Sequence, residues 1–369
     1  MNAAVIRRTT PTVAPRGVSA AKLRTLDLRA AELLVAPLDV VRLWVLRALG
    51  PIARVAVRDR ALRVALMGSA IVVVSLIVAA TLPMWSLAVA PVVVGVPHLI
   101  GDARYLVFRP GLHRRSLVVI ALAIPIGAAI GGGGVYAALG GAAAMACVAR
   151  GSHVRRVVIL ALVAALTALA WWVGPIASFV FAHVHHLVAL VMLFAWRPER
   201  GVLHWIPLVL FAIGSAALLL GAADPLLAWT GGVEHVPAED LGVGHHLASL
   251  APGVAGPLGI RLVLAFAFAQ SVHYAVWTRL LPEQDRERET PRTFAESYRA
   301  LRADLGAPLC LICVAAVIVI AVWACADLAA ARTNYLRLST FHSHVELALA
   351  AFFLVEGRPI DASSSGRAA

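Results

Sequence analysis

Ten apolar segments, separated by clusters of arginine, constrain this chain more than any other feature of its sequence. They cover residues 62–82, 84–108, 116–131, 133–149, 157–173, 177–196, 203–222, 260–280, 308–329 and 340–357. A helix needs about 20 apolar residues to cross the hydrocarbon core of a bilayer. With 61% hydrophobic and only 14% charged residues, the chain is too apolar for a soluble protein. We therefore expect an all-α fold, a polytopic integral membrane bundle of about ten transmembrane helices.

Arginine predicts the orientation of this bundle. Arginine clusters in 54–63, 109–115, 150–156, 197–200 and 279–302 fall in alternate loops. By the positive-inside rule these loops and both termini are cytoplasmic, in a bacterial inner membrane. The net charge of +12 resides largely in these loops, which argues against a nucleic-acid partner and makes the lipid bilayer the expected one.

The segments outside the bundle divide into tails and loops. We expect a flexible cytoplasmic tail to about residue 36, and an interfacial amphipathic helix where arginine alternates with apolar residues in 39–63, so that 1–60 precedes the bundle. The transmembrane domain would cover 61–357, with an external loop at 223–259, a charged cytoplasmic loop containing a short helix at 279–306, and a cytoplasmic tail at 358–369. The glycines at 131–134 predict a tight turn between two helices rather than a kink in one.

Histidines inside the apolar segments are the strongest functional signal. The stretch SFVFAHVHHLVALVMLFAW, residues 178–196, contains three of them. On one regular helix, His183 and His186 share a face and His185 points away. Imidazole at membrane depth needs a partner or a function. Three other segments supply candidates: His98 with Asp102, His273 with Gln270, and His342 and His344 with Glu346.

All these groups lie on even-numbered apolar segments, which would run from outside to inside. We therefore expect them to meet in one layer, with His153 and His204 outside it. Neutral imidazoles with nearby carboxylates suit a transition metal. The expected ligands are His98, His183, His186, His273, His342 and His344. Mixed histidine and carboxylate ligation favours Fe(II), with Cu, Zn or haem as alternatives.

Three further side chains are expected to assist the metal. Asp102 could ligate directly or orient the ring of His98, four residues earlier. Glu346 and Gln270 could do the same for His342 and His273. A second candidate set lies in the external loop and comprises Glu234, His235, Glu239, Asp240, His245 and His246; loop histidines are also commonly just solvated.

The segment GVPHLIGD, residues 95–102, resembles a family signature. It is similar to the Gly-[Ile/Val]-Pro-His-x-x-x-Asp pattern of bacterial and archaeal β-carotene cleavage dioxygenases of the Brp/Blh type. The resemblance implies a multi-span membrane enzyme that uses histidine-bound iron and O₂ to cleave a polyene. His98 and Asp102 match directly, and His183, His186 and His273 would be counterparts of the other ligands. This chain has Leu99 where the family has glycine, so we expect a divergent substrate or a different activity.

These observations predict a membrane oxygenase or related oxidoreductase that acts with O₂ on a lipophilic, carotenoid-like or isoprenoid, substrate. Two alternatives stay open from the residues themselves. Histidines and carboxylates could form the relay of a proton-coupled or metal transporter. Facing histidine pairs could also ligate a b-type haem.

Overall fold

A computed structural model describes residues 17–196, 201–286 and 290–357, and all regular secondary structure within them is helical. The predicted tail at 358–369, the first sixteen residues and the arginines at 197–200 lie outside the described residues. In chain order the α-helices are α1 Gly17–Ala48, α2 Gly50–Arg58, α3 Arg60–Thr81, α4 Pro83–Val93, α5 Gly95–Asp102, α6 Ser116–Ile130, α7 Gly134–Val148, α8 His153–Val173, α9 Ile176–Val184, α10 His186–Trp196, α11 Ile206–Leu219, α12 Asp224–Thr230, α13 Val243–Leu250, α14 Pro257–Ala275, α15 Leu281–Gln284, α16 Phe294–Leu305, α17 Ala307–Ala326, α18 Leu328–Ser339 and α19 Phe341–Glu356.

The described helices are those of a membrane protein, but ten spans are not confirmed. Seven helical stretches are long and apolar enough to cross: Arg60–Thr81, His153–Val173, Ile176–Leu193, Val202–Leu219, Pro257–Gln284, Ala307–Ala326 and Leu328–Glu356. An eighth span is possible from α4 and the helix that follows it, which meet at a bend of 56°. The remaining two, α6 and α7, have 15 residues each. At 1.5 Å per residue each is about 22 Å long, shorter than the hydrocarbon core of about 30 Å.

The glycine-rich segment forms the predicted tight turn. Helix α6 ends at Ile130, α7 begins at Gly134, and the two helices pack against each other. Gly132 and Gly134 adopt φ of +90° and +52°, a region that favours glycine because it lacks Cβ. The glycines therefore reverse the chain.

The N-terminal region differs from the expectation. Helix α1 begins at Gly17, so the prediction of a flexible tail to about residue 36 is wrong from that residue onward. Asp39 on α1 caps α16, accepting hydrogen bonds from the backbone N–H groups of Phe294 (2.8 Å) and Ala295 (3.4 Å). This capping links α1 to the helix of the charged loop.

The charged loop also begins inside the protein rather than in solvent. Glu283 is fully buried and pairs with Arg63 at 2.8 Å and with Arg286 at 2.8 Å. Arg109 pairs with Asp285 at 2.8 Å. The first residues of this charged loop therefore tie α3 and the segment after α5 to α15 and the residues that follow it by ion pairs.

Four helices meet at the centre of the bundle. One side of helix α14 is fully buried there, and its residues are Val263, Leu264, Ala267 and Phe268. It contacts α5 and α10, and α19 contacts both of these as well. Helices α5, α10, α14 and α19 thus enclose one interior region, and each brings histidine to it.

Candidate metal centre

Three histidines from three helices converge in this interior region. His98 on α5, His273 on α14 and His342 on α19 place one ligand nitrogen each within 4.8 Å of one another. Two nitrogens bound to one ion at about 2.1 Å each lie no more than about 4.2 Å apart, so the three approach the spacing of a ligand set. The structure brings His98 and His273 together, and His342 joins them.

Backbone carbonyl groups orient all three rings. Nδ1 of His98 lies 2.6 Å from the Gly95 carbonyl oxygen, and Nδ1 of His342 lies 2.6 Å from that of Ser339. Nδ1 of His273 lies 3.4 Å from the His186 carbonyl oxygen. A carbonyl only accepts, so each Nδ1 carries the proton and each Nε2 keeps a free lone pair. None of these three buried Nε2 atoms has a hydrogen-bond partner in the described residues.

Two carboxylates border the same nitrogens. Nε2 of His98 lies 3.8 Å from Oδ2 of Asp102, and Nε2 of His273 lies 3.7 Å from Oε1 of Glu346. Trp277 donates its indole N–H to Oε1 of Glu346 at 2.9 Å. Both oxygens of Asp102 and Oε2 of Glu346 remain without a partner, and neither residue pairs with an arginine in the described residues. Buried carboxylates of this kind need a proton or a cation beside them.

Gln270, the third residue expected to assist, is also buried. It is 4% exposed, and its side-chain nitrogen has no partner in the described residues. It lies three residues before His273 on α14, within one helical turn. Its expected supporting role stays a prediction.

The prediction that His185 points away is wrong. Its ring centroid lies 4.0 Å from that of His186, 5.7 Å from that of His273 and 5.4 Å from that of His342. The cause is a helix break, because His185 is the turn between α9 and α10 and its carbonyl bonds Val188 N–H in a tighter i to i+3 pattern. The regular 3.6-residue period that excluded His185 does not apply across such a break.

His183 lies before this break and packs against phenylalanine side chains. Its ring contacts Phe179 and Phe266, at centroid distances of 4.4 and 5.1 Å. His186 stays close to the cluster, 5.2 Å from the ring of His273. Of the expected pair, His186 therefore lies next to the cluster, whereas His183 packs against phenylalanine rings.

His344 is held in a helix contact. Its Nδ1 lies 2.8 Å from the Thr340 carbonyl oxygen and its Nε2 2.8 Å from that of Gly134 on α7. With both nitrogens against carbonyl groups, the ring joins α19 to α7 and does not reach the cluster, so the geometry does not support its expected role as a ligand. His153 is exposed at the start of α8 and His204 lies in the turn before α11, and neither belongs to the group of three converging histidines found among the described residues.

Two features of the backbone near the site were not expected from sequence. A π-helical segment, Ala103–Phe108, directly follows the helix of His98 and Asp102, and a second, Val276–Leu280, directly follows the helix of His273 and contains Trp277. Single π-helical turns occur frequently at functional sites. A π-turn has no strong sequence signature, so only the recurrence of polar side chains could have marked these positions.

The second candidate metal set does not assemble. Among the described residues, which include the whole of 223–259, no three side chains of that loop bring ligand atoms within 4.8 Å of one another. His235 lies at the surface with Nδ1 2.7 Å from the Gly231 carbonyl oxygen. His245 and His246 contact each other and the region around Arg332 instead.

The convergent site fits a single metal ion better than a porphyrin. The rings of His98 and His342 are in edge contact, with centroids 4.9 Å apart, and those of His98 and His273 are 5.4 Å apart. Axial ligands of a haem must stand on opposite faces of the macrocycle, and rings in mutual contact leave no slot for it. Three free imidazole nitrogens, with the carboxylates of Asp102 and Glu346 beside two of them, are donors that suit a transition-metal ion.

Comparison with known proteins adds no relative: no family model matches the sequence, and no significant match exists among curated proteins or solved structures.

Proposed function

We propose that this protein is an integral membrane oxygenase that holds a non-haem iron ion and acts with O₂ on a lipophilic, isoprenoid or carotenoid-like substrate. The observation behind the proposal is the convergence of the unpartnered Nε2 atoms of His98, His273 and His342, deep in an apolar bundle. Carbonyl groups hold all three rings in the tautomer that a metal requires.

Each residue has a defined part in this proposal. His98, His273 and His342 hold the ion, and the carboxylates of Asp102 and Glu346 balance its charge. Trp277 keeps Glu346 oriented by its indole hydrogen bond. Bound iron would supply the binding and activation of O₂. The aromatic residues Tyr274 and Phe266, whose rings contact His98 and His186, keep bulk water away and provide an apolar wall for a substrate that enters from the bilayer.

The family resemblance supports the same proposal. The segment 95–102, similar to the signature of Brp/Blh-type β-carotene cleavage dioxygenases, contributes both His98 and Asp102 to the site. Because Leu99 replaces the family's glycine directly beside His98, we propose a related oxygenation chemistry on a substrate other than β-carotene.

Metal analysis of the detergent-purified protein tests the proposal. We expect about one iron per chain, with only weak visible absorbance. His98→Ala, His273→Ala and His342→Ala should each reduce the iron content to less than about a tenth, since loss of one ligand of three removes most of the binding energy. O₂ consumption with a long polyene or isoprenoid should fall in parallel.

The matched control is His183→Phe. His183 lies on the same broken helix but packs against Phe179 and Phe266, so this variant should retain its iron. A Soret band in the parent protein would replace the proposal with a haem protein. Full metal content in the His98 and His273 variants would show that these histidines do not hold the metal, and would overturn the proposal. A metal-free parent protein that transports ions would replace the proposal with the transporter alternative.

A further inference from the structure

A buried arginine lies near the end of the bundle that the positive-inside rule assigns to the outside. Arg332, in the second turn of α18, is only 7% exposed. Its Nε donates to the Leu87 carbonyl oxygen at 2.7 Å, and its Nη1 lies 3.4 Å from Nε2 of His245. No carboxylate of the described residues lies within 4 Å of its guanidinium group. An arginine on the outer side is not what the positive-inside rule predicts. Because its guanidinium group is also buried, a group of opposite charge beside it would be stabilising.

Two imidazoles of the external loop stand beside it. His246 is fully buried, and neither of its ring nitrogens has a hydrogen-bond partner in the described residues, although the Leu241 carbonyl group approaches the ring. Burial, together with the positive charge of Arg332, lowers the pKa of His246 to about 3. Both burial and Arg332 also lower the pKa of His245, against the opposing effect of Asp240. His246 is therefore neutral at pH 7 and has an N–H group to donate.

A buried guanidinium group beside two imidazoles is electrostatically incomplete. Taking an unpaired cation out of water is energetically unfavourable, and a partner of opposite charge removes much of that penalty. A metal ion is disfavoured here because Arg332 would repel it. The chemistry of the set therefore selects an anion.

We propose that Arg332, His245 and His246 form a binding site for a carboxylate group. The planar guanidinium fork matches the two oxygens of a carboxylate, and the N–H group of His246 can satisfy a remaining lone pair. Two sources share this chemistry: a small free carboxylate that enters from water, and the acidic end of a long apolar molecule. The site goes beyond the proposed oxygenase function and does not depend on the metal.

Binding measurements on the purified protein test the site with acetate and dodecanoate as separate probes. We expect Arg332→Gln to weaken the binding of whichever probe the parent protein binds by at least tenfold. Arg337→Gln is the matched control, because Arg337 lies on the same helix but is exposed, and it should bind like the parent. Binding of acetate identifies a free anion as the occupant. Binding of dodecanoate alone identifies the acidic end of an apolar molecule.

Further variants keep the test decisive if Arg332→Gln does not fold. Arg332→Lys retains the charge but loses the fork, and His246→Phe removes the N–H group at similar volume, so each should weaken binding. His98→Ala should leave carboxylate binding unchanged, which separates this site from the metal centre. A parent protein that binds neither probe, or variants at 332 and 246 that bind like the parent, would overturn the proposal.

Discussion

His342 and His344, two residues apart on α19, show how little sequence proximity decides the role of a histidine. His342 leaves Nε2 free in the cluster, whereas His344 spans to the Gly134 carbonyl group of α7. We predict that His344→Ala keeps the metal content of the parent but destabilises the protein by about 1–3 kcal/mol, the cost of leaving a buried acceptor unpaired. Thermal unfolding in detergent with parallel metal analysis would show this. Loss of metal with unchanged stability would instead make His344 a ligand.

Glu346 makes the second prediction at this scale. Glu346→Gln removes the carboxylate charge 3.7 Å from Nε2 of His273 but keeps an amide oxygen that can accept the Trp277 N–H. We therefore expect a correctly folded protein with metal affinity lowered by about 10–100-fold, measurable by competition with a chelator. An unchanged affinity would mean that Glu346 is protonated and serves Trp277 alone.

Sequence spacing indicates the place of a side chain best on an unbroken helix. Asp102 and Glu346 each lie four residues beyond a cluster histidine, so the helical period places them on the same side. Glu346 was expected to serve His342, and the structure places its carboxylate 3.7 Å from Nε2 of His273. His185 could not be predicted in the cluster, because its position depends on a break between α9 and α10 that no proline or glycine announces. The separation of His344 from His342 likewise depends on α7, which is remote in sequence.

At the level of elements, the site depends on the close approach of α5 to the π-helical segment at 276–280. A Cβ added at Gly101 would lie 2.9 Å from the Trp277 carbonyl oxygen. The backbone of Trp277 cannot move out of the way as the end of a flexible side chain could. The added methyl group of Gly101→Ala should therefore push the two elements apart and displace Asp102 and Trp277. We predict lower thermal stability and reduced metal content.

Gly127→Ala provides the control for that prediction. Gly127 lies on α6, and a Cβ there meets nothing within 4 Å. Since alanine is favoured over glycine by about 1 kcal/mol in a helix, this variant should be neutral or slightly more stable, with full metal content. Equal behaviour of the two variants would show that the approach of α5 is not critical.

For the whole molecule, apolar composition predicted the helices more reliably than the number of crossings. All ten apolar segments lie on helices, but α6 and α7 are short and α4 and α5 are bent by 56°. The short helices α6 and α7 pack against α19, and Gly141 on α7 lies against Pro125 on α6. Hydropathy alone does not predict such packing. The pairing of α6 with α7 nevertheless leaves the sidedness of later loops unchanged, because a hairpin returns the chain to the side from which it came.

The orientation itself gives the last prediction. Gly201 and Gly244 are both exposed, and a Cβ at either position meets nothing within 4 Å, so cysteine should be tolerated at each. Between them only Val202–Leu219 is a candidate span in the described residues. With the four native cysteines replaced by alanine, a membrane-impermeant thiol reagent should label Gly244→Cys from outside intact cells and Gly201→Cys only after lysis, as the arginine distribution requires. Labelling of both from one side would mean that this helix does not cross. The reverse pattern would place Arg332 and its neighbours in the cytoplasm, where a buried arginine no longer opposes the orientation rule.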